Sequence, residues 1–390
     1  MRQLPHKNET PWLVWVYSGN IANALGAATW LDVTKELRNL GWKVDLISFG
    51  SNGIQEVKGV RVLCYSVPNL YFIRHLVFHL RVILHILGNW KGIDVVLFRE
   101  ISVPWILPLR LFKLFGRKHP LFVMDTRSVP MDAIDKAILK DKLRVQFMNF
   151  MGKAANNWTD GHTAITKRMA EFQHIPSAKL WGTWTSGVDP VLFSSALEQR
   201  RWLGNDDPVV VIYIGTLNYE RNLMALSRSI VEANKRGMNL KLLLYGEGNE
   251  KKELEIFAKQ TKGLIDVFNT VPHDMVPGIL ARAHIGALPF PDEDKYRVSS
   301  PIKLFEYMAA GLPILATRIV CHTDVIGSGD YVFWAEDATC DAMLNALEQI
   351  WVERSKLPLL GEHAYQASQN WTWKASANRL NSALRYGLSF

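Results

Sequence analysis

Cysteine is scarce in this sequence, which has only Cys64, Cys321 and Cys340 among its 390 residues. Their spacing matches no metal-binding motif, and an odd, sparse set is typical of reduced thiols in a cytoplasmic protein. The sequence also lacks an Asp-x-Asp motif in a strand context, since the acidic segment 292–294 is interpreted as a loop. We therefore predict reduced thiols and no bound metal.

Long apolar runs are also missing. No stretch of about 18 uncharged apolar residues occurs, so no segment is expected to span a bilayer. The first residues, Met1 to Pro11, are polar and lack the apolar stretch of a secretory signal peptide. These absences predict a cytoplasmic protein that is soluble or lies on the inner face of the cell membrane.

The charge balance is basic, with 45 Lys and Arg against 37 Asp and Glu, a net charge of +8. An excess of this sign indicates an anionic partner such as phosphate groups or lipid headgroups. No aromatic-basic RNA signature is present, so we expect no nucleic-acid partner. The length and the hydrophobic fraction of 48% are sufficient for two domains with separate cores.

Short apolar segments alternate with amphipathic helical patterns throughout, which predicts parallel sheets covered by helices. Predicted strands of the first half are 12–17, 43–49, 60–64, 94–98, 121–124 and 163–165. Those of the second half are 209–214, 240–245, 264–268, 285–288 and 314–316. The polar segment from about Pro190 to Pro208 is predicted as the linker, and two such halves predict a ligand cleft between them.

The most specific segment is 299–316, with the sequence SSPIKLFEYMAAGLPILA. Ser299 or Ser300 is predicted to cap a helix that has Pro301 as its first residue. Gly311 is predicted to end this helix ahead of a buried strand. The free N–H groups at the helix start form an anion site.

Two charged residues belong to this predicted site. Lys303 adds a positive charge at the helix start, and the Glu306 carboxylate one turn further along can accept two hydrogen bonds from a ribose diol. An isolated Ser-Pro with a following Glu is more often a capped surface helix whose Glu forms an ordinary salt bridge. The complete string closely resembles the nucleotide-sugar signature of family 4 retaining glycosyltransferases. This resemblance implies that Ser300, Lys303, Leu304 and Glu306 bind a nucleoside-diphosphate sugar such as a UDP- or GDP-sugar.

The resemblance extends over most of the chain and is strong from about 209 to 316. Other segments that resemble the family are 19–26, 161–168, 185–193, 213–222, 242–248, 271–277, 285–290 and 371–388. It implies that Gly19, Gly26, Gly215 and Gly246 lie in donor-facing loops and that His273 lies against the nucleotide base.

Arg221 follows the second-half strand 209–214, where the resemblance implies a basic residue that contacts the donor diphosphate. A guanidinium binds phosphate through two hydrogen bonds; the alternative is a solvent-exposed Arg at the start of a helix. The sequence departs from the family at Thr216, where an Arg is common, so that more of the diphosphate binding is expected to rest on Arg221 and Lys303.

A second departure is Val298, where many family members have a Glu that contacts the donor sugar. Because this Glu is absent, the sequence does not identify the donor sugar. The sugar hydroxyls are then expected to contact backbone amides or the carboxylates of Asp292, Glu293 and Asp294.

The resemblance implies an α/β protein with the GT-B fold, two Rossmann-like domains whose parallel sheets face a cleft. Residues 1–190 correspond to the acceptor domain, 200–370 to the donor domain, and 371–390 to a helix that crosses back to the first domain. The implied reaction transfers the sugar with retention and without a metal, since fixed cations stabilise the departing diphosphate. The implied acceptor is a glycan or a lipid-linked glycan.

Asp125 follows the strand 121–124, at the sheet edge where open α/β sheets bind ligands. With Arg221 and Lys303 it completes the candidate catalytic residues, and its predicted role is to orient the acceptor, with Arg127 binding an anionic group. The alternative is an Asp that caps the next segment with Arg127 as its ion partner. Arg99 and Glu100, after the strand 94–98, are a weaker candidate pair of the same kind.

Residues 67–120 are unusually apolar and basic and contain two candidate helices, Leu70–Leu87 and Trp105–Phe115. The apolar face of the first is broken by Arg74, His75, His79, Arg81 and His85. Such helices lie in membrane interfaces, with basic side chains at headgroup phosphates. The basic residues of this region are Arg74, Arg81, Lys91, Arg99, Arg110, Lys113, Arg117 and Lys118. We predict an anionic membrane surface as a partner; the alternative is a pair of ordinary helices that cover the sheet.

Two other enzyme classes share part of this pattern. A NAD-dependent oxidoreductase requires G-x-G-x-x-G after its first strand, and the loop 19–26 lacks that spacing. An epimerase or phosphorylase with the GT-B fold stays open, because a fold does not determine a function.

Overall fold

The computed structural model describes residues 10–24, 26–115, 119–129, 139–202, 204 and 207–389. The chain forms two compact units. Unit 1 consists of Met1–Thr185 and Trp373–Phe390, and unit 2 of Ser186–Thr372.

Unit 1 contains an eight-stranded sheet with the order β3-β4-β2-β1-β5-β6-β7-β8. Its strands are β1 (Trp12–Val16), β2 (Lys43–Phe49), β3 (Gly53–Val57), β4 (Val60–Tyr65), β5 (Val95–Phe98), β6 (Leu121–Thr126), β7 (Gly161–Ala164) and β8 (Leu180–Thr183). Its first helices are α1 (Ala27–Asn39), α2 (Tyr71–Gly88), α3 (Val103–Ile106), α4 (Leu139–Trp158) and α5 (Lys167–Phe172). The central strands are buried along their length, which is why they are continuous apolar runs in the sequence.

One strand pair in this sheet is antiparallel, which the sequence pattern did not predict. β3 and β4 form a hairpin around Lys58 and Gly59, whose φ angles are 48° and 75°. Positive φ at both central residues is typical of a tight hairpin turn. β3 has a largely exposed, polar sequence, so it lacks the apolar run by which the other strands are recognised.

Unit 2 contains a six-stranded parallel sheet with the order β11-β10-β9-β12-β13-β14. Its strands are β9 (Val209–Ile214), β10 (Leu240–Tyr245), β11 (Ile265–Phe268), β12 (Ile285–Leu288), β13 (Ile314–Thr317) and β14 (Val332–Ala335). Its helices are α6 (Pro190–Gln199), α7 (Leu223–Lys235), α8 (Lys251–Lys259), α9 (Val276–Leu280), α10 (Asp294–Arg297), α11 (Ile302–Ala309), α12 (Val320–Ile326), α13 (Cys340–Val352) and α14 (Leu357–Ser368).

The segment predicted as a linker, 190–208, is mostly part of unit 2, and this prediction was wrong. Asp189 caps α6 by accepting hydrogen bonds from the backbone of Val191 and Leu192. Phe193 on this helix is buried in the unit 2 core, and the buried Arg200 guanidinium donates to four backbone carbonyls. The helix itself is largely apolar, and the charged residues that give the segment its polar composition lie at its end and after it, from Glu198 onwards. Residues 203, 205 and 206 lie outside the described residues.

The C-terminal helix α15 (Trp373–Leu388) returns to unit 1, as the sequence predicts for its closing helix. A Cβ atom at Gly182 would lie 2.9 Å from the Ala383 methyl group, so the helix approaches β8 closely. The Trp42 indole N–H donates to Asn381 at 2.8 Å. The end of the chain therefore belongs to the same core as its beginning.

Three buried histidines predict acid sensitivity. Burial lowers the pKa of His79, His162 and His322 to about 4 each. In the unfolded chain each histidine takes up a proton near pH 6.5, so stability is present above that pH and is lost as the pH falls towards 4. Each should lower the free energy of unfolding by about 1.4 kcal/mol per pH unit in this window.

We expect the melting temperature to fall steadily from pH 6.5 to pH 4.5. His322→Asn should reduce this pH dependence, whereas His174→Asn at an exposed position should not. If the melting temperature changed with pH in the same way in wild type and in His322→Asn, the result would contradict the assignment.

Candidate active site

The loops that follow β9 and β10 contact each other through glycines. The Gly215 N–H donates to the Tyr245 carbonyl at 2.9 Å, which joins the loops after β9 and β10. Gly246 has a φ of +155°, and a Cβ atom there would lie 1.7 Å from the Gly215 carbonyl oxygen. Only glycine permits this approach. The structure thus brings together Gly215 and Gly246 at the carboxyl edge of the sheet.

The start of α11 differs from the prediction. Pro301 is the N-cap residue, and no side chain of the described residues caps the helix. The Ser300 hydroxyl accepts instead from the Ser186 N–H at 3.2 Å, and the Ser299 hydroxyl donates to the Tyr296 carbonyl at 2.8 Å. The predicted serine cap was wrong because both hydroxyls have partners outside the helix. The first N–H groups of α11 are therefore left without a capping side chain, which suits an anionic ligand.

The end of α11 agrees with the prediction. Gly311 follows the helix with a φ of +65°, the left-handed conformation that ends helices. Leu304 is fully buried, so it supports the helix start from the core. Tyr307 accepts a hydrogen bond from the Ile214 N–H at 3.0 Å and anchors the helix to β9.

Three predicted site residues form one charged cluster on α11 and the neighbouring loop. The Glu306 carboxylate is only 3% exposed and contacts Lys303 Nζ at 2.8 Å and His273 Nε2 at 3.1 Å. Burial alone would raise the pKa of Glu306, but the Lys303 charge and the His273 hydrogen bond hold it below its usual range. Glu306 is thus kept as a carboxylate in a buried position.

This cluster leaves hydrogen-bonding capacity for a ligand. A carboxylate has about four lone-pair sites, of which Lys303 and His273 occupy one each. Two acceptor positions are then available to a vicinal diol. Solvent reaches the partly exposed side chains of Lys303 and His273, whereas the Glu306 carboxylate between them is only 3% exposed.

Arg221 lies in a second group, after β9. It ends a short turn, Tyr219–Arg221, that is followed by Asn222 with a φ of +60°. Its guanidinium lies over the rings of Phe290 and Tyr296, with distances of 4.9 and 5.4 Å to the ring centroids. These aromatic contacts fix the side chain rather than leaving it mobile at the surface.

Sequence reasoning missed the supports of Arg221. Its Nε donates to the Thr216 hydroxyl at 3.3 Å, so the residue that departs from the family pattern holds the arginine in place. Phe290 and Tyr296 stack on each other with centroids 5.0 Å apart. Phe290 lies in the segment 285–290 that resembles the family, but only the fold shows that it faces Arg221.

Val298, where the family often has a Glu, is buried and apolar. The nearby carboxylates have partners of their own: Arg297 bonds both oxygens of Asp292 at 2.7 and 2.8 Å, and Lys295 bonds Glu293 at 2.8 Å. Contacts of these carboxylates with a donor sugar stay a prediction.

The glycines predicted in the first loop of unit 1 are structurally ordinary. The Gly19 carbonyl accepts from the Phe49 N–H at 2.8 Å, and Gly26 begins α1 with a φ of −100°. Neither conformation requires glycine. Their roles towards a donor stay a prediction.

Asp125 on β6 is fully buried. Its Oδ1 accepts from the Thr163 hydroxyl at 2.7 Å and from the Trp184 indole at 2.9 Å. Burial raises the pKa of Asp125, and the charge of Arg127 opposes that shift. Arg127 stacks on Trp184, 3.4 Å from its ring centroid, and donates to its carbonyl.

The Asp125 group is thus an interior cluster that joins β6, β7 and the segment after β8. The described contacts of Asp125 are with Trp184 and Thr163, and residues 130–138 of the next segment, which the alternative interpretation would have it cap, lie outside the described residues. A role for Asp125 towards an acceptor stays a prediction. No group of three or more His, Cys, Asp or Glu among the described residues is arranged to hold a metal ion.

α2 has apolar residues on both faces, and its buried face contains Phe78, Val82 and Ile86 as well as two histidines. It buries His75 and His79 and exposes the apolar residues Ile73, Leu80 and Leu84 on its other face. Its length and composition would allow it to cross a membrane, but its inner face packs in the unit 1 core. The histidines that break the apolar pattern in the sequence therefore point inwards.

The second predicted helix of this region, Trp105–Phe115, is instead the short α3 followed by a 3-10 segment, Leu107–Phe115. Arg74 bonds Asn69, Arg81 bonds Asn52, and Arg110 bonds Asp160 at 3.3 Å. These arginines thus have protein partners. The side chain of Lys113 and the whole of Arg117 and Lys118 lie outside the described residues.

Part of the chain is similar to a known protein family. Residues 208–352 match the family model described as Glycosyl transferases group 1. This segment lies within unit 2 and contains Gly215, Arg221, Lys303 and Glu306. No curated protein sequence matches the chain.

Solved structures match both units. Sucrose-phosphate synthase from Thermosynechococcus elongatus is 16% identical, with a TM-score of 0.76 over 96% of this chain and 98% of that one. HepE from Anabaena, in complex with UDP-glucose, is 13% identical with a TM-score of 0.69, covering 96% and 99%. The lipopolysaccharide outer core galactosyltransferase WaaB is 14% identical with a TM-score of 0.64, covering 96% and 99%. These likenesses confirm the GT-B fold of two Rossmann-like units.

Proposed function

We propose that this chain, a glycosyltransferase with a Glycosyl transferases group 1 domain over residues 208–352, transfers a sugar with retention from a nucleoside diphosphate to a glycan or lipid-linked acceptor. The observation that carries the donor part is the buried Glu306 carboxylate, paired with the partly exposed Lys303 near the uncapped start of α11. The Glu306 carboxylate can accept hydrogen bonds from the ribose diol of such a donor. Lys303 and the free N–H groups at the helix start can bind its diphosphate.

The chemistry follows from the charge that develops during transfer. As the bond to the anomeric carbon breaks, negative charge accumulates on the leaving β-phosphate oxygen. Lys303, Arg221 and the helix N–H groups present fixed positive charge, and preorganised groups of this kind usually supply the largest part of the rate enhancement. In the proposed step the acceptor hydroxyl oxygen bonds to the anomeric carbon on the face from which the diphosphate leaves. The hydroxyl proton passes to the departing phosphate oxygen, and the anomeric configuration is retained.

The donor class has support from the structural relatives. HepE is described in complex with UDP and with UDP-glucose, and starch synthase IV from Arabidopsis thaliana bound to ADP and acarbose. We infer that this chain binds a nucleoside diphosphate in unit 2 and that the base pocket near His273 selects among UDP, GDP and ADP.

Thermal shift with UDP, GDP, ADP and NAD tests this function. One nucleoside diphosphate at about a hundred times its Kd should stabilise the protein by about 2.7 kcal/mol, or about 5–10 °C in Tm. The matching nucleotide sugar should then release nucleoside diphosphate slowly in the absence of acceptor. Stabilisation by NAD alone would favour the oxidoreductase alternative and remove the proposal.

We also propose that unit 1 attaches to the inner face of the cell membrane through α2. The exposed face of this helix carries Leu84, 68% exposed, and Phe72, 70% exposed, next to Leu80 and Ile73. Apolar side chains of this size are rarely left in a row on a free surface, and their burial in an interface is favourable. The apolar side chains are the main part of the proposed attachment, because Arg74, Arg81 and Arg110 have protein partners.

Vesicle co-sedimentation checks the attachment. The protein should bind vesicles of phosphatidylcholine and phosphatidylglycerol, and only partly dissociate when salt is raised. Replacing Ile73, Leu80 and Leu84 by Ser should weaken binding by about tenfold or more, because each large apolar side chain contributes about 1.5–3 kcal/mol on full burial. Replacing the exposed Ile256 and Val352 of unit 2 by Ser is the matched control. Equal sedimentation of the two variants would return α2 to the interpretation as an ordinary sheet-covering helix.

A further inference from the structure

Unit 1 contains a cavity of about 230 Å³ at the carboxyl ends of β5 and β6. Glu100 enters it from the segment after β5, and Met124 and Thr126 from β6. Met148 and Asn156 line it from α4. Asp125 lies between Met124 and Thr126 on the strand, so it faces the opposite side of the sheet. The cavity is therefore separate from the Asp125 cluster.

Two lining residues have unused hydrogen-bond acceptors. Glu100 Oε1 and Asn156 Oδ1 are buried, and neither has a hydrogen-bond partner within the part of the chain that the structure describes. The Asn156 amide donates to the carbonyls of Gln173 at 2.9 Å and His174 at 3.1 Å, so its oxygen is the free atom. Buried polar atoms in native proteins normally have partners, and exceptions point to a missing ligand or water.

The charge near Glu100 is largely accounted for. Glu100 Oε2 lies 3.7 Å from Arg99 Nε, and the same guanidinium donates to the Ser128 hydroxyl at 2.8 Å. Burial raises the pKa of Glu100, the Arg99 charge opposes this, and Asp125 adds to the increase. A ligand here meets the two acceptor oxygens together with two buried donors, Arg99 Nε and the Thr126 hydroxyl, that have no hydrogen-bond partner among the described residues, and the Arg99 charge is balanced by Glu100.

We propose that this cavity binds the terminal sugar of the acceptor and that Glu100 and Asn156 select an uncharged, hydroxyl-rich residue. The inference rests on the proposed function. Sugar hydroxyls both donate and accept, so they can pair with the oxygens of Glu100 and Asn156 and with the donor Arg99 Nε. A carboxylate or phosphate could pair with Arg99 but would place further acceptors against Glu100 and Asn156. The apolar side chains of Met124 and Met148 face the C–H surface of a ring.

The size and position of the cavity agree with this ligand. Pockets for drug-sized ligands measure about 300–1,000 Å³, so this smaller space fits one sugar ring rather than an oligosaccharide. Tyr71, the first residue of α2, also lines the cavity, and its neighbours Leu70 and Phe72 are exposed. The cavity thus lies beside the α2 surface assigned to the membrane, where the headgroup of a lipid-linked glycan would be.

Ligand-observed NMR titration of the full chain tests the selection. The probes are methyl glucoside, methyl galactoside, methyl N-acetylglucosaminide and methyl glucuronide. At least one neutral glycoside should bind about tenfold more tightly than the glucuronide. Glu100→Gln should weaken the neutral glycoside by about tenfold, the effect of losing one hydrogen bond to a charged group. The difference in affinity between the neutral glycoside and the glucuronide should also become smaller, because the glutamine amide can donate a hydrogen bond to the glucuronide carboxylate.

The control variant is Glu171→Gln at an exposed position of unit 1, which should leave all probe affinities unchanged. A role of Glu100 in folding alone would lower Tm without changing the neutral-to-glucuronide ratio, and that result would overturn the proposal. Absence of neutral glycoside binding to wild type would overturn it without any variant. UDP, GDP and ADP stabilisation measured on the same sample reports the donor function separately, so failure of one is distinct from failure of the other.

Discussion

Arg221→Ala should lower kcat about a hundredfold and change the acceptor KM little. The guanidinium, held over Phe290 and Tyr296, is proposed to present fixed positive charge to the leaving diphosphate, and removal of one preorganised group costs about this much. Steady-state kinetics with the nucleotide sugar identified by thermal shift measures both constants.

The matched control is Arg236→Ala, an arginine of unit 2 that pairs with Glu232 and Glu348 at the surface. This variant should keep near-normal turnover. Arg221→Lys should recover only part of the lost rate, because a lysine cannot form the two parallel hydrogen bonds of a guanidinium. Normal kcat in Arg221→Ala would place the diphosphate-binding cation elsewhere.

Glu306→Gln should raise the donor KM by about tenfold to a hundredfold while leaving the fold intact. The carboxylate is proposed to accept hydrogen bonds from the ribose diol, and loss of a charged hydrogen bond costs about 1.5–3 kcal/mol. The amide keeps the volume of the buried side chain, so no cavity forms around α11.

The Lys303 partner needs its own control, because any change at Glu306 also releases Lys303 Nζ. The double variant Lys303→Met with Glu306→Gln separates the two effects: if Glu306 acts on the ribose directly, its KM effect persists when Lys303 is absent. An unchanged donor KM in Glu306→Gln would reduce this carboxylate to the structural partner of Lys303 and His273.

The cluster proposed as the donor site was located from the sequence because its residues are close together in the chain. Lys303, Leu304 and Glu306 lie on α11, where helical periodicity sets their spacing, and Ser300 lies just before the helix. The resemblance to family 4 added the ligand, and the match to Glycosyl transferases group 1 supports that class; membership of family 4 in particular stays a prediction.

The strands were predictable for a similar reason. β2, β9, β10 and β12 have the bounds expected from their apolar runs, because parallel strands buried on both faces leave a continuous apolar signal. The hairpin strand β3 lacks that signal. The helix α6 was mistaken for a linker because it is short and is followed by a polar segment that ends at a proline.

Which side chains form hydrogen bonds with each other was decided by the tertiary structure alone. His273 meets Glu306 across 33 positions of sequence, and Trp184 meets Asp125 across 59. Ser300 has the composition of a helix cap, yet it bonds Ser186, 114 positions away. A hydroxyl takes whichever partner the folded chain brings within reach, and no local pattern encodes that.

The same limit applies to which side of α2 is buried. Its sequence determined an amphipathic helix of the right length, but the apolar residues outnumber the polar ones on both faces. Packing against β-strands of unit 1 placed His75 and His79 inside and left Ile73, Leu80 and Leu84 outside. Periodicity states which residues share a face; only the shape and hydrogen-bonding partners of the surrounding core decide which face turns inwards.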